Sequence, residues 1–408
     1  MLLRLLVIFL LFLVIPAVIL WWRFRSVLST PKRRILFFLP NAVLIIAAVL
    51  LSLFETYSPA NARLTGIFLV VFIAFSLVEV LCALLCLIGL LLKRIPHMLR
   101  LFTALGFVAA AAVVCIVAYG YFWGMDRLTV TYTDITHPDV PCGFEGYRIV
   151  FFSDLHLGTY GRDPHMPLKV IRTIEAQRPD IILFGGDLVN YHTNEIIPFL
   201  SELRQLHAPD GVYAVMGNHD YQLHREWESG DARSASVLRL QQLLRGVGWK
   251  MLLNDHRLLT HRGDTIALIG VENDGLPPFP QLGDLPKAQK GLPDTLSNGR
   301  PLFRILLTHD PTHWRRKVLP DTPIQLTLSG HTHASQLQIG PYSPSQCFFR
   351  EWGGLYAYTP SGSSAARSAH RYLWVSKGIG GAMVPFRFGA WPEINVITLH
   401  SCSITSQS

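Results

Sequence analysis

Acidic residues are nearly missing from the first 123 positions, where only Glu55 and Glu79 face ten Lys and Arg. That surplus of eight equals the net charge of the whole chain, +8, and leaves 26 basic against 26 acidic residues beyond it. The basic character therefore belongs to the N-terminal loops. A neutral remainder argues against a phosphate-backbone surface, so no nucleic-acid partner is expected. Cysteine is sparse as well. The six are not arranged as Cys-x-x-Cys, which argues against a zinc knuckle. Cys82, Cys86 and Cys115 sit in apolar runs as small hydrophobes. Cys142 and Cys347 are placed to form a disulfide only if this part is exported, and spacing alone does not pair them. No serine or cysteine nucleophile motif appears, and there is no internal repeat.

What is abundant is apolar: half of the 408 residues are hydrophobic, and they are unevenly spread. Four runs, about Met1–Trp22, Ile35–Phe54, Leu64–Leu92 and Leu101–Trp123, approach the roughly 20 residues that span a bilayer core. A cleaved signal peptide is disfavoured for the first, which lacks a small-residue cleavage site and is followed by three more runs. The expected organisation is a transmembrane segment over 1–123, an extended lead-in over 124–145, a catalytic domain over 146–400 and a tail over 401–408. Trp21, Trp22, Tyr121 and Trp123 at span ends suit an interfacial aromatic belt.

The loops set the orientation. Arg23–Arg34 carries five basic residues and Lys93–Arg100 three, whereas Glu55–Arg63 is nearly neutral. Basic loops stay cytoplasmic, so both termini and the catalytic domain are expected outside, in a bacterium on the outer side of the plasma membrane. Glu79 lies inside the third run. Without a second ionisable group at its depth, it reads better as a hydrogen-bonding partner of a neighbouring helix, or as a residue in a water-filled crevice, than as a functional site.

Beyond Trp123 strands and helices alternate. Strands are expected at Tyr147–Ser153, Asp180–Phe184, Val212–Met216, Thr265–Val271, Phe303–Thr308, Ile324–Ser329, Leu373–Ser376 and Ile394–Leu399. Helices are expected at Leu168–Gln177, Glu195–Leu206 and Ala235–Val247. The first half is βαβαβ and implies parallel strands; the strand-rich second half makes the sheet mixed, an α/β class. Ser361–Ser368 reads as a low-complexity loop.

The strand ends carry the chemistry. One strand runs into Ser153-Asp154-Leu155-His156, the next into Gly185-Gly186-Asp187, and a third into Gly217-Asn218-His219-Asp220. Later strands run into Thr308-His309-Asp310 and Gly330-His331-Thr332-His333. Open α/β sheets bind ligands at their carboxyl ends. Carboxylate, amide oxygen and imidazole without thiolate suit a borderline divalent ion such as Mn, Fe, Zn or Co. Any one of these histidines alone would more often be a satisfied core residue, as is expected for His165, His192, His224, His256, His261, His313 and His370. Asp310, Glu272, Asn273 and Asp274 read as turn residues. Arg387 is open between a phosphate contact and an ion pair with Glu393.

These motifs, in this order, resemble the calcineurin-like metallophosphoesterase superfamily over about residues 146–400. Gly378-Ile379-Gly380 and Arg387 through Pro392-Glu393-Ile394 look similar to its bacterial membrane-associated branch. The resemblance implies a two-sheet β-sandwich flanked by helices and two divalent metal ions. It implies that Asp154, His156 and His333 hold the first ion, Asn218, His309 and His331 the second, and that Asp187 bridges. His219 would face the substrate as general acid or phosphate-binding group, oriented by Asp220. Ala334-Ser335-Gln336 depart from the glycines usual after the last motif.

The function this supports is hydrolysis of a phosphate mono- or diester by metal-activated hydroxide, with an envelope or lipid-linked ester as the suggested substrate. A transporter or sensor with a regulatory metal domain would need several paired polar residues in the spans, and Glu79 stands without one in the sequence. A pseudoenzyme would lack a ligand or His219, and all are present.

Overall fold

The computed structural model describes residues 2–52, 59–359, 370–382 and 384–401. The Ser/Ala stretch, Cys402 and residues 55–58 of the Glu55–Arg63 loop lie outside the described residues. The chain forms two compact units: the N-terminal part up to Gly124 together with Val384–Phe388, and Met125 onward without that segment.

The first unit consists of α1 (Leu2–Phe24), α2 (Pro31–Ser52), α3 (Pro59–Leu91) and α4 (Met98–Phe122). Four spans are expected from the sequence. Over the described residues, Pro31–Leu51, Arg63–Leu91 and Met98–Phe122 are long and apolar enough to cross a membrane, and Leu10–Phe24 is shorter. Hydrocarbon gives helices no apolar reason to associate, so polar and small residues decide the packing. Both are present. The Asn41 amide on α2 donates to the Glu79 carboxylate on α3 at 2.8 Å and to the Leu13 carbonyl on α1 at 3.1 Å, with Asn41 and Glu79 buried. Three helices thus share one polar node, which gives Glu79 the neighbouring-helix partner expected of it. Cys82 of α3 packs against Gly106 of α4, its thiol donating to the Gly106 carbonyl at 3.3 Å.

The second unit is a sandwich of two six-stranded sheets. The first contains β1 (Thr129–His137), β2 (Tyr147–Phe152), β3 (Ile181–Phe184), β4 (Val212–Ala214), β5 (Lys250–Met251) and the C-terminal β12 (Glu393–Ser401), in the order β1-β12-β2-β3-β4-β5. β2 through β5 are parallel, and β12 runs antiparallel to β2 and parallel to β1. The second contains β6 (Asp255–His261), β7 (Asp264–Gly270), β8 (Arg304–Leu307), β9 (Leu326–Ser329), β10 (Gly354–Tyr358) and β11 (Arg371–Val375), in the order β10-β11-β9-β8-β7-β6. The sheets are mixed as expected. The stretch expected as an extended lead-in contains β1, which pairs with β12 at the edge of the first sheet.

Side chains alternate across each strand and fill separate layers. Ile149, Phe151, Ile181 and Leu183 pack with Ile266, Leu268, Ile305 and Leu328 between the sheets. Val150, Phe152, Ile182 and Phe184 turn the other way, toward α5 (His165–Ala176) and α7 (Gly230–Gly246). Burying each large side chain contributes about 1.5–3 kcal/mol. The helix expected at Glu195–Leu206 is instead a 3-10 turn, Thr193–Phe199, followed by the short α6 (Leu200–Leu203); Pro198 lies within the turn, where it cannot donate to an α-helical ladder.

The outer layer of the second sheet contains a buried polar cluster. Asp274, fully buried, accepts from Arg316 at 2.7 Å and from Lys317, with the His313 Nε2 at 3.8 Å. This is more than the turn role expected of Asp274. Cys142 and Cys347 are both free thiols, so the optional disulfide is not formed, and Cys142 lies 3.9 Å from the Ser401 hydroxyl.

Two outcomes follow from these clusters. Asn41→Leu should lower the melting temperature of the detergent-solubilised protein by an amount equivalent to roughly 1–2 kcal/mol, and Glu79→Gln should cost less because an acceptor remains; equal melting temperatures would remove the node from the packing account. Burial pushes the His313 imidazole down to about 4. Its folded value lies below the unfolded one of about 6.5, so the unfolded state binds the proton first and stability drains as pH falls from about 6.5 toward 4. Denaturant unfolding of His313→Gln should therefore show a shallower stability loss between pH 7.5 and pH 5 than the parent.

Candidate metal centre

Five strand ends, from both sheets, meet at one place. β2, β3 and β4 of the first sheet lead into Asp154 and His156, into Asp187, and into Asn218 and His219. β8 and β9 of the second lead into His309 and into His331 and His333. All of these side chains are buried except that of His331, which is partly exposed.

Their donor atoms converge. His156 Nε2 lies 3.1 Å from His333 Nε2 and 3.7 Å from Asp187 Oδ2. His333 Nε2 is 3.3 Å from Asp154 Oδ1. His309 Nε2 is 3.2 Å from Asp187 Oδ2, from Asn218 Oδ1 and from His331 Nδ1. Three groups meet the geometry of a metal site, each with its ligand atoms within 4.8 Å of one another: Asp154, His156 and His333; His156, Asp187 and His219; and Asp187, His309 and His331. Two ring nitrogens facing each other at about 3.1 Å tolerate that approach only by sharing a proton or a cation. The donor set and its burial therefore fit divalent ions.

Charges follow the same geometry. Burial alone would raise Asp154 and Asp187, but His333 beside the first and His309 beside the second hold both below the usual carboxylate range. Burial lowers His156 and His331, which keeps their rings neutral, the form that offers a lone pair. Burial opposes protonation of His309, yet the Asp187 carboxylate outweighs it and pushes the imidazole up to about 10.

The backbone is held in an uncommon conformation here. Asp154, His156, Asp187, His331 and His333 all have positive φ, between 45° and 75°. A left-handed non-glycine residue costs of order 1–2 kcal/mol, so the surroundings must impose it. They do. The amides of Ile379 and Gly380 donate to the Asp154 carbonyl at 3.2 and 2.7 Å, Ser153 donates its hydroxyl to the Asp154 carboxylate, and the His331 amide donates to the same carboxylate at 3.1 Å. The following Ala334, Ser335 and Gln336 are left-handed too, with φ of 49°, 50° and 57°. That explains why glycines suit these positions and why their absence changes no ligand.

Asp220 does not orient His219 as expected. Its carboxylate accepts from the backbone amides of Gly217, Asp187, Leu188 and Val189 at 2.9, 2.8, 2.9 and 3.3 Å. It fastens the Asp187 turn to the turn after β4. Burial and the Asp187 charge push it up to about 7. The His219 ring is held instead by the Asn190 carbonyl, 2.7 Å from Nδ1, and burial lowers it to about 4. The carbonyl acceptor makes Nδ1 the protonated nitrogen.

Three contributors escape the sequence. Asn190 acts through its backbone, which no side-chain pattern reveals. Glu195 accepts from the amides of Asn190, Tyr191 and His192 at 2.6, 3.0 and 3.0 Å, part of a capping box whose N-cap is His192 rather than the usual Ser or Thr, so the familiar signature does not mark it. His224, expected as a core histidine, is exposed. Its Nε2 lies 3.2 Å from the Asn218 amide nitrogen and its ring 4.1 Å from the His219 ring. Asp310 serves its turn through Thr312, and its other oxygen lies 3.6 Å from His331 Nε2. Glu393 pairs with Lys377 at 3.1 Å, and Arg387 lies in the segment whose backbone bonds Gly120 of α4.

Residues 147–335 match the calcineurin-like phosphoesterase family. The Bacillus subtilis metallophosphoesterase YkuE is 32% identical over 305 residues, covering 72% of this chain and 94% of that protein. The chain belongs to the calcineurin-like phosphoesterase family and is a hydrolase. A Danio rerio transmembrane protein with metallophosphoesterase domain is 28% identical over 289 residues, 69% of this chain and 59% of that protein. The UDP-2,3-diacylglucosamine pyrophosphatase LpxG of Chlamydia trachomatis is 28% identical over 305 residues, 65% of this chain and 88% of that protein.

A Cβ on Gly330 would lie 1.8 Å from the Ser153 hydroxyl and 2.3 Å from the Asp154 carboxylate. Gly330→Ala should therefore cost roughly 1–3 kcal/mol even in metal-free protein, read as a lower denaturation midpoint; an unchanged midpoint would show that the turn has room to move.

Proposed function

We propose that this chain is a membrane-anchored phosphoesterase that uses two divalent ions, with residues 1–123 as anchor and 146–400 as catalytic domain. The observation that carries this is the meeting of buried carboxylate, amide and imidazole donors from five strand ends. In the proposed assignment Asp154, His156 and His333 hold one ion, Asn218, His309 and His331 the other, and Asp187 lies between them. Such ions, when bound, supply a hydroxide nucleophile near neutral pH and offset charge on the phosphoryl oxygens.

The chain's own residues do the rest. His224 accepts from the Asn218 amide nitrogen and so turns Oδ1 toward His309. Asn190 fixes Nδ1 of His219 as the protonated nitrogen, leaving Nε2 to meet the phosphate. Burial keeps that ring neutral, and an entering phosphate anion raises its proton affinity, as a general acid for the leaving oxygen requires. Asp220 acts as a positioning residue for the Asp187 turn. The apolar helices and the diacylated substrate named for LpxG support a lipid-linked or envelope ester. The basic loops support a bacterial plasma-membrane location with the catalytic domain outside.

The test is hydrolysis of a generic phosphomonoester and a generic phosphodiester by the full-length protein with Mn, Zn, Co, Mg or Fe. Metal-dependent turnover should fall at least a hundredfold in Asp187→Asn and in His219→Ala. Two bound metals without turnover would point to a narrow substrate. No bound metal in the parent would sink the assignment.

A further inference from the structure

The metal centre is polar, yet one wall beside it is aromatic and open to solvent. His331 stands between two rings. Phe279 meets it edge-on with centroids 4.8 Å apart, and Phe349 does so at 5.5 Å. The two come from separate loops, one between β7 and β8 and the other between β9 and β10. Each carries a more exposed apolar neighbour: Leu276, whose carbonyl accepts from the Phe279 amide at 2.9 Å, is 46% exposed, and Phe348, next to Phe349, is 77% exposed.

The loop backbone that bears the two phenylalanines is held in place. The Phe348 and Phe349 amides donate to the Ser345 carbonyl at 3.0 and 2.8 Å. Ser345 is fully buried, with its hydroxyl 2.7 Å from that of Ser335, and Ser343 donates to the Ala334 carbonyl at 2.7 Å. The loop that carries the two phenylalanines is thus tied directly to the turn that carries His331 and His333. Exposed aromatics beside a buried polar centre are characteristic of a recognition site.

We propose that Leu276, Phe279, Phe348 and Phe349 form a subsite for an apolar chain attached to the phosphoryl group, so that the substrate is an amphiphilic phosphate ester. The proposal rests on the metal-centre reading above and names the substrate class of that site. A phosphoryl group at the donors leaves its organic substituent beside His331, where the apolar wall stands. Each methylene seated there adds up to roughly fourfold in affinity. A chain of several carbons is expected to extend along this wall and a two-carbon one to stop short of it.

The experiment is calorimetric titration of the manganese-loaded full-length protein in detergent with ethylphosphonate and with hexylphosphonate. Neither is cleaved, so ester preference does not enter. The parent should bind the hexyl compound at least tenfold more tightly. Leu276→Ser and Phe348→Ser should each shrink that ratio severalfold and together bring it near one. Leu238→Ser, an exposed leucine on α7, should leave the ratio intact. Equal affinities in the parent, or a ratio that survives in the double variant, would overturn the subsite while leaving the metal centre standing. Failure of the parent to retain manganese would overturn the metal-centre reading, and the subsite with it.

Discussion

The centre depends on a backbone constraint: five of its seven candidate ligands sit in left-handed conformations that they would not adopt unaided. A strand that simply ended would carry its next side chain past the sheet edge. A left-handed residue instead turns the chain back so that a short Asp or His side chain points across the strand ends. The strain is held by a layer of hydrogen bonds with almost no freedom, of which Asp220 is the most connected member, one carboxylate serving four amides. The glycines at the same turns have a matching reason, since a Cβ on Gly217 would lie 2.2 Å from Asp187 Oδ1. Ligands, supports and glycines form one object, in which each fixes the geometry of the next.

Much of this is legible in the sequence because ligand chemistry uses few residue types and strand ends are marked by glycine. Asp154, His156, Asp187, Asn218, His309, His331 and His333, candidates from their motifs, converge at the strand ends. The supporting layer is harder to read. Asp220 stands beside His219 in the chain, which invites a direct pairing, yet a turn of the backbone sends its carboxylate to amides instead. Asn190 contributes a carbonyl, and every residue has one. His224 differs from the fifteen other histidines only in where the loop after β4 carries it.

The fold is legible to a similar depth. Buried parallel strands such as Ile181–Phe184 are continuous apolar runs that stand out against their surroundings. β1 and β6 lie at sheet edges, with alternating exposure and many polar residues, so periodicity marks them weakly. The Asn41–Glu79 node illustrates another limit. Asparagine in a hydrophobic run carries no charge to attract notice, and its partner lies 38 residues away.

Strand β12 was placed between β1 and β2, pairing Thr129 with Glu393 and Tyr147 with Leu399. The last of the described strands thus lies between the first two. Until it arrives, the emerging chain holds two half-edges that must not pair with each other or with a neighbouring molecule. Contacts across more than 250 residues form slowly, because the closure entropy precedes the reward. Loss of residues 393–401 would therefore remove an interior strand rather than trim a margin.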